Sequence, residues 1–369
     1  MSTIAVNAIT DASGGNTTQI NGATPTTDNL MGRNRIINGA MEIAQRGTSA
    51  VTASGSYPVD RFYTQISTDG AFSAQQDSSA PVGFVNSVKL TTTTADASLG
   101  ATQYWIFRHK IEGYNVADLD WGTANAKTVT VSFWVRSSLT GTFGGVLANT
   151  GQSRIYPFTY TISAADTWEQ KSLTIAGDTT GTWLTNNGTG LEIIFGLGVG
   201  TDYSGTAGSW SGTFALSATG ATSVIGTLNA TWYITGVQLE AGSVATSFER
   251  RSYGQELALC QRYTEVFRSD GAGFDVIAAG FFESNTDARY GLFFNEKRTS
   301  PSVTFSAANQ FTMYYTGTTA AATSITAELS STKSARIYVT GPNGTDGQST
   351  LLSFYTNNGN GYIVINAEL

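Results

Sequence analysis

Residues 128–136, TVTVSFWVR, put Val129, Val131, Phe133 and Val135 on one face of an extended chain, and Thr130, Ser132, Trp134 and Arg136 on the other. A strict two-residue period suits a half-buried β-strand, because a helix would scatter those four apolar side chains around its circumference. Residues 102–111 behave alike: Trp105, Phe107 and Ile111 share one parity, while Tyr104, Arg108 and Lys110 take the other. Further strands are expected at 168–176, 191–199 and 231–240, with turn signals NNG at 186–188 and GSWSG at 208–212 between them. Many short strands at this spacing predict an all-β sandwich or jelly roll.

Composition points the same way. The chain has 55 Thr and 41 Gly, residues that suit half-exposed strands and tight turns, and only 13% of its residues are charged, against roughly 25% in an ordinary globular chain. Net charge is −7 with no cluster of Lys or Arg, which argues against a nucleic-acid partner. The longest uncharged apolar stretch, around Val276 to Phe282, falls far short of the ~20 residues of a membrane span, so no membrane insertion is expected. The opening MSTIAVNAITDASGG has neither a basic region nor an apolar signal core, and synthesis in a cytoplasm without general secretory export is expected. A lone cysteine, Cys260, excludes an intrachain disulfide. The sequons at Asn16, Asn187, Asn229 and Asn343 follow from a chain rich in Asn and Thr.

At 369 residues, two or three units are expected. Residues 1–32 are polar, with a brief alternation at Ile4, Val6 and Ala8, and cannot bury enough surface to offset chain entropy alone. Residues 33–250 carry the jelly-roll strands. A linking helix is assigned to 251–267: Ser252 and Gln255 make a capping box, Leu257, Cys260, Tyr263 and Phe267 recur at helical spacing, and the helix itself is expected from Tyr253 to Val266, breaking in RSDGAG. Cys260 reads as a small buried apolar residue of that helix. Residues 268–369 form a second β unit of runs such as RYGLFFNEKR, QFTMYYTG and STLLSFYTN, punctuated by PNGTDG at 342–347 and NNGNG at 357–361. No internal repeat joins the two β units.

Catalytic motifs are scarce. One histidine, His109, would have to carry any His-based metal site or triad alone, and it lies on the apolar parity of its strand, as a structural histidine would. There is no Walker loop, dinucleotide fingerprint, HExxH or CxxC. A carboxylate pair would suffice for a glycosidase, and Asp60, Glu112, Asp118 and Asp202 stay open individually. The expectation is a protein that is not an enzyme.

Several segments carry a resemblance: NRIINGAMEIAQRG (34–47), VDRF (59–62), IEG (111–113), VTVSFWVRSS (129–138), TWEQKSLTIAGDTTGTW (167–183) and ITGVQLEAGSVATSFERRSYGQELALCQRY (234–263). The stretch from Gly32 to Thr264 resembles a recurrent module of bacteriophage tail fibres, related in pattern to carbohydrate-binding jelly rolls. TIAVNAITDASGG resembles the particle-attachment segments of such fibres, and IVINAEL their closing strand. The resemblance implies a jelly-roll binding domain, a homotrimer, recognition of host-surface glycans for adsorption, and a place in the virion tail, joined to other tail or adaptor proteins through residues 1–32. A capsid decoration or head-fibre protein is the rival reading, and a polysaccharide-degrading tailspike a more remote one.

A glycan site needs an aromatic plane flanked by hydrogen-bonding groups. Two arrangements qualify: Tyr104 and Arg108 with Trp134 and Arg136 on the polar parity of two strands, and Trp183, Tyr203 and Trp210 in Gly-rich loops. The alternatives are that Trp134 packs under a loop or against a neighbouring subunit, and that the loop aromatics pin their own loops. Trp121 reads as a corner plug. Carbohydrate-binding jelly rolls can set an NGxxE opening beside the acidic residue of the last strand, which implies a structural calcium between Glu42, in Asn38-Gly39-x-x-Glu42, and Glu240. Pairing of Glu42 and Glu240 with Arg33, Arg35 or Arg250 is the alternative. Trimerisation also draws on the helix, where three copies around an axis would bury Tyr263 and Phe267. It draws as well on adjacent pairs such as Phe281-Phe282, Phe293-Phe294 and Tyr314-Tyr315, which put one ring on each face of a strand.

Overall fold

The computed structural model describes residues 32–269, 275–341, 344–355 and 361–369. The expected attachment segment, apart from Gly32, lies outside these residues, as do the sequons at Asn16 and Asn343 and parts of the PNGTDG and NNGNG turns. Among the described residues the regular structure is nearly all β, and the chain divides into two compact units. One comprises the described residues up to Glu42 together with Thr48–Ser252; the other comprises Ile43–Gly47 with Tyr253–Leu369.

The first unit holds thirteen strands: β1 Ser56–Val59, β2 Phe62–Ser67, β3 Ala71–Asp77, β4 Ser87–Thr94, β5 Tyr104–Glu112, β6 Val129–Ser137, β7 Gly141–Ala148, β8 Ile155–Ile162, β9 Glu169–Ile175, β10 Thr189–Val199, β11 Ser204–Gly205, β12 Ser217–Ala218 and β13 Thr231–Ala241. Six of them form a sheet in the order β1-β2-β5-β10-β7-β8, and five form another in the order β3-β4-β13-β6-β9, all antiparallel. The two sheets bury their inner faces against each other as a jelly-roll sandwich. Phe133 of β6 meets Phe195 of β10 at 5.1 Å between ring centroids, and Phe107 of β5 meets Trp232 of β13 at 6.1 Å. The alternation in the sequence is the cause: Val129, Val131, Phe133 and Val135 are fully buried, whereas Trp134 and Arg136 turn outward.

The first and last chain segments of this unit are stitched together. Asn34 donates from Nδ2 to the Val237 carbonyl at 3.1 Å and accepts from the Leu239 amide at 3.1 Å, while its own amide donates to Glu249 at 2.7 Å. Gly39 is required here, because a Cβ would lie 2.1 Å from the Val237 carbonyl oxygen.

In the second unit one helix, α1 Tyr253–Gln261, precedes ten strands: β14 Thr264–Arg268, β15 Val276–Phe282, β16 Asp287–Phe293, β17 Ser302–Phe305, β18 Phe311–Tyr315, β19 Thr318–Ala321, β20 Ser324–Ser330, β21 Ser334–Thr340, β22 Ser349–Phe354 and β23 Tyr362–Asn366. A three-stranded sheet, β14-β23-β17, and a seven-stranded sheet, β19-β18-β22-β15-β16-β21-β20, enclose a core that includes Phe282, Tyr290, Phe311, Leu352 and Ile365.

The helix is shorter than expected. It stops at Gln261, and Thr264–Val266, expected as its last turn, instead belong to β14, which pairs along β23 from Asn366 to Tyr362. Thr264, Val266 and Phe267 prefer the pleat, and β23 offers them a ladder that no local spacing reveals. Cys260 is buried as expected. Tyr263 is fully buried and Phe267 packs on the core of its own unit, so neither forms the exposed helical stripe on which the trimer argument partly drew. The aromatic pairs do split as read: Phe282 and Tyr315 are buried while Phe281 and Tyr314 stay exposed.

Candidate functional site

The outer face of the six-stranded sheet is built by pleat and register. β2 and β5 set Tyr63 opposite Arg108, and β5 and β10 set Lys110 opposite Glu192. Arg108 is the centre. Its Nη2 donates to Gln65 Oε1 at 2.7 Å, its Nη1 lies 3.4 Å from Glu192 Oε2, and its guanidinium stacks over the Tyr63 ring at 4.6 Å. Gln152, from the β7–β8 connection, donates to the other Glu192 oxygen at 2.8 Å. Glu192 is nearly buried, so this ion pair is shielded from water and its geometry is held by three partners rather than by charge alone.

Beside this network the β10–β13 connection folds back over the sheet. Its Ala215 and Leu216 join Ile106, Val146, Ile155 and Ile194 in a small second core. The backbone bonds from Leu216 N to Tyr203 O and from Asp202 N to Ala101 O, at 2.8 and 2.9 Å, fix the loop. Tyr203 is thereby set between Tyr104 at 5.9 Å and Phe214 at 5.0 Å, a wall of three rings. Two depressions, of about 250 and 280 Å³, flank Arg108 and Gln152 and share both residues. Each is smaller than the ~300–1,000 Å³ of an enclosed small-molecule site, so the face suits an extended ligand lying across it.

The residues singled out in sequence are redistributed. Tyr104, Arg108 and Tyr203 come together. Trp134 and Arg136 project from the other sheet, on the opposite side of the sandwich, so the expected four-residue arrangement does not form; strand parity was right, but the two strands belong to different sheets. Trp134 borders Gly236, whose φ of +63° bends β13, together with the Phe84 ring of an overlying loop. Phe84 is held there by Phe248 at 5.1 Å and by the Arg250 guanidinium at 4.8 Å. Arg136 donates to Ser79 Oγ at 3.0 Å and lies over Tyr233 at 4.9 Å.

Trp183 and Trp210 part from Tyr203 and close on Trp121, with centroids 4.7, 5.3 and 5.5 Å apart and every pair near perpendicular. Each indole N–H donates to a backbone carbonyl, of Lys127, Thr180 or Ala176. Arg154 grips Asp178 through two bonds of 2.6 and 2.7 Å and anchors the same loop. Burial alone would raise the Asp178 carboxyl, but the hydrogen bonds from Arg154 and Thr180 hold it below the usual range.

Glu240 spends both oxygens on donors of its own turn: Oε1 accepts from Gln238 and the Thr246 amide, and Oε2 from the Thr246 hydroxyl at 2.6 Å. Arg33 reaches Thr246, Arg35 pairs with Asp118, and Arg250 lies on Phe84. Glu42 is half-buried, and its carbonyl accepts from Gln76. Among the described residues no group of three or more His, Cys, Asp and Glu is placed to hold a metal. His109 is fully buried, 3.1 Å from the Ile37 carbonyl, and burial together with Arg61 pushes its ring well below the ordinary histidine range, toward the neutral form.

Gln65, Gln152, Glu192 and Phe214 were not anticipated. Glu192 had a signal, as the single charge in the otherwise apolar run LEIIFGLGV. The glutamines had none, because their partners arrive from other strands.

No family model and no curated protein matches the chain. Solved structures give distant likenesses. The enzymatically active domain of tailspike protein 4 of bacteriophage CBA120 is 12% identical at a TM-score of 0.31, over 57% of this chain and 21% of that one, so the match spans about a fifth of the tailspike domain. A family 11 carbohydrate-binding module of Clostridium thermocellum, in complex with a β-1,3-1,4-mixed-linked tetrasaccharide, is 10% identical at 0.29, over 54% of this chain and 99% of that one. The xylanase 10B modules of the same organism, complexed with xylohexaose, are 10% identical at 0.27, over 53% and 29%. Likenesses this faint carry no functional weight.

Proposed function

We propose that the chain is a glycan-binding structural protein of a tailed-phage virion, a tail fibre that adsorbs to host-surface saccharide without cleaving it. The observation that carries the glycan reading is the groove on the six-stranded sheet, where the rings of Tyr104, Tyr203 and Phe214 stand beside the fixed hydrogen-bonding set of Gln65, Arg108, Gln152 and Glu192. Rings take the apolar face of a sugar; the paired amides and ions offer donors and acceptors at fixed positions to its hydroxyls. The non-catalytic reading is supported by Glu192 being the one carboxylate among the residues lining the groove, where glycoside hydrolysis uses two. The virion role, the attachment through residues 1–32 and the homotrimer rest on the resemblance of the sequence to tail fibres, and three weak sites acting together would suit adsorption.

A glycan array of host polysaccharides probed with the full chain tests the reading. Binding that falls at least tenfold in Tyr203→Ala, with no oligosaccharide released on prolonged incubation, is the expected result. Turnover abolished by Glu192→Gln would replace it with an enzyme. Light scattering at micromolar concentration should return three subunits, and a single-subunit mass would end the trimer.

A further inference from the structure

We infer that the outer face of the seven-stranded sheet carries a second saccharide site, for a neutral oligosaccharide, separate from the groove of the first unit. It takes only its ligand class from the reading above. β15 and β16 pair Phe281 with Arg289, and β16 and β21 pair Gly291 with Arg336 and Phe293 with Ser334. The pleat sends Phe282, Tyr290 and Leu292 into the core and leaves Phe281, Arg289, Gly291 and Phe293 outside. Phe281 stays 50% and Phe293 77% exposed, a cost that a soluble sheet face rarely carries without use.

Between the rings lies an open trough of about 450 Å³ floored by Ala279 and Gly291. A Cβ added at Gly291 would meet nothing nearer than the Phe293 ring at 3.6 Å. The trough therefore exists because position 291 lacks a side chain. Glu283, Arg289 and Arg336 of its wall close into an ionic set with Glu328 behind them: Arg289 bonds Glu283 and lies 3.2 Å from Glu328, and Arg336 lies 2.8 Å from the same Glu328 oxygen. Two cations and two carboxylates cancel, so a charged partner gains no net attraction, while a polyol finds donors and acceptors already oriented.

A second copy of the chain fits less well. Two rings at these exposures offer roughly 250 Å² of apolar surface, taking ~200 Å² for a Phe ring. A stable interface uses about 800 Å² per partner. Tyr314, two strands away and 40% exposed, does not close that gap.

The test titrates the full chain with neutral hexasaccharides of glucose, galactose and xylose, and with an oligogalacturonate of the same length. Phe281→Ala with Phe293→Ala should weaken one binding phase at least tenfold for a neutral sugar and leave the thermal transition nearly unchanged, since both rings are exposed. Gly291→Val should do the same by filling the floor. Phe293→Trp should keep binding and report it by fluorescence quenching, a rescue that a purely structural ring would not show. Tyr104→Ala with Tyr203→Ala should leave this phase intact. If only that second pair removes binding, the groove stands and the inference falls; if only the Phe pair does, the groove falls and the inference stands. Preference for the oligogalacturonate, no binding of any neutral hexasaccharide, or a drop in oligomeric mass on losing the two rings would each overturn the inference.

Discussion

The tryptophan cluster and the Arg108 groove are both ring-rich places on the first unit, and they use their rings in opposite ways. In the cluster, Trp121, Trp183 and Trp210 turn edges onto one another and give every N–H to a backbone carbonyl, Trp121 and Trp183 within their own loops and Trp210 at Ala176, just past the end of β9. In the groove, Tyr104 and Tyr203 form one side of a depression whose other side is a hydrogen-bonded ion pair. A ring whose polar atom is committed to a backbone carbonyl and whose faces are covered by other rings closes a fold; a ring that borders an open depression can receive a ligand. Aromatic content alone does not distinguish the two.

The largest expected effect would break the cluster. Trp121→Ala removes a buried ring from a three-ring contact and should cost ~3–5 kcal/mol. For a unit of this size that lowers the melting temperature by roughly 6–20 °C, while glycan binding below the transition is kept. Loss of binding without loss of stability would reverse the contrast.

Next comes Arg108→Ala, which leaves Glu192 with Gln152 as its remaining side-chain partner in a nearly buried place. Binding should fall at least tenfold, and stability by about 1–3 kcal/mol for the half-abandoned carboxylate. Arg108→Lys should recover charge but not the fork to Gln65 and Glu192, so binding should stay weak. Titration calorimetry beside thermal melts separates the two effects.

Acid sharpens the comparison further. Asp178 is held below the usual carboxylate range, so its contribution is complete above the ordinary Asp pKa of ~3.9 and is lost as pH falls through the lower folded value. Tryptophan fluorescence of the cluster should therefore stay constant down to about pH 4 and change only below it. In Asp178→Asn the acid step should vanish. The smallest effect is expected from Trp134→Ala. On the opposite sheet and half-buried beside Gly236, it should leave glycan binding within about twofold of the parent and cost about 1–2 kcal/mol in stability. A tenfold loss of binding would move the site to the other face.

Much of this was legible in the residues. The parity of Val129–Arg136 and of Tyr104–Ile111 gave each side chain its direction correctly, because a pleat repeats every two residues whatever lies beyond. Which sheet a strand joins is a different matter. β5 lies between β2 and β10, and β6 between β13 and β9, and nothing inside either strand encodes those partners. Trp134 was therefore read with the right orientation on the wrong side. The stretch after Gln261 failed for a related reason: Tyr263 and Phe267 stand at a helical interval, no alternation in Thr264–Arg268 competes with it, and β23, about a hundred residues later, turns the segment into a strand.

The short run Ile43–Gly47 has a consequence in time. Though both flanks belong to the first unit, it completes the second: Gln45 Nε2 donates to the Thr264 carbonyl at 2.8 Å, and Arg46 reaches Thr264 Oγ1 and Glu368, 218 and 322 residues later. At a ribosomal pace of ~5–20 residues per second, Arg46 emerges about 10–45 s before Thr264 and about 15–65 s before Glu368. The first unit can close its sandwich in that interval, but the second cannot finish until Glu368 has been made. A fragment beginning at Tyr253 would never receive those contacts, however long it was given to fold.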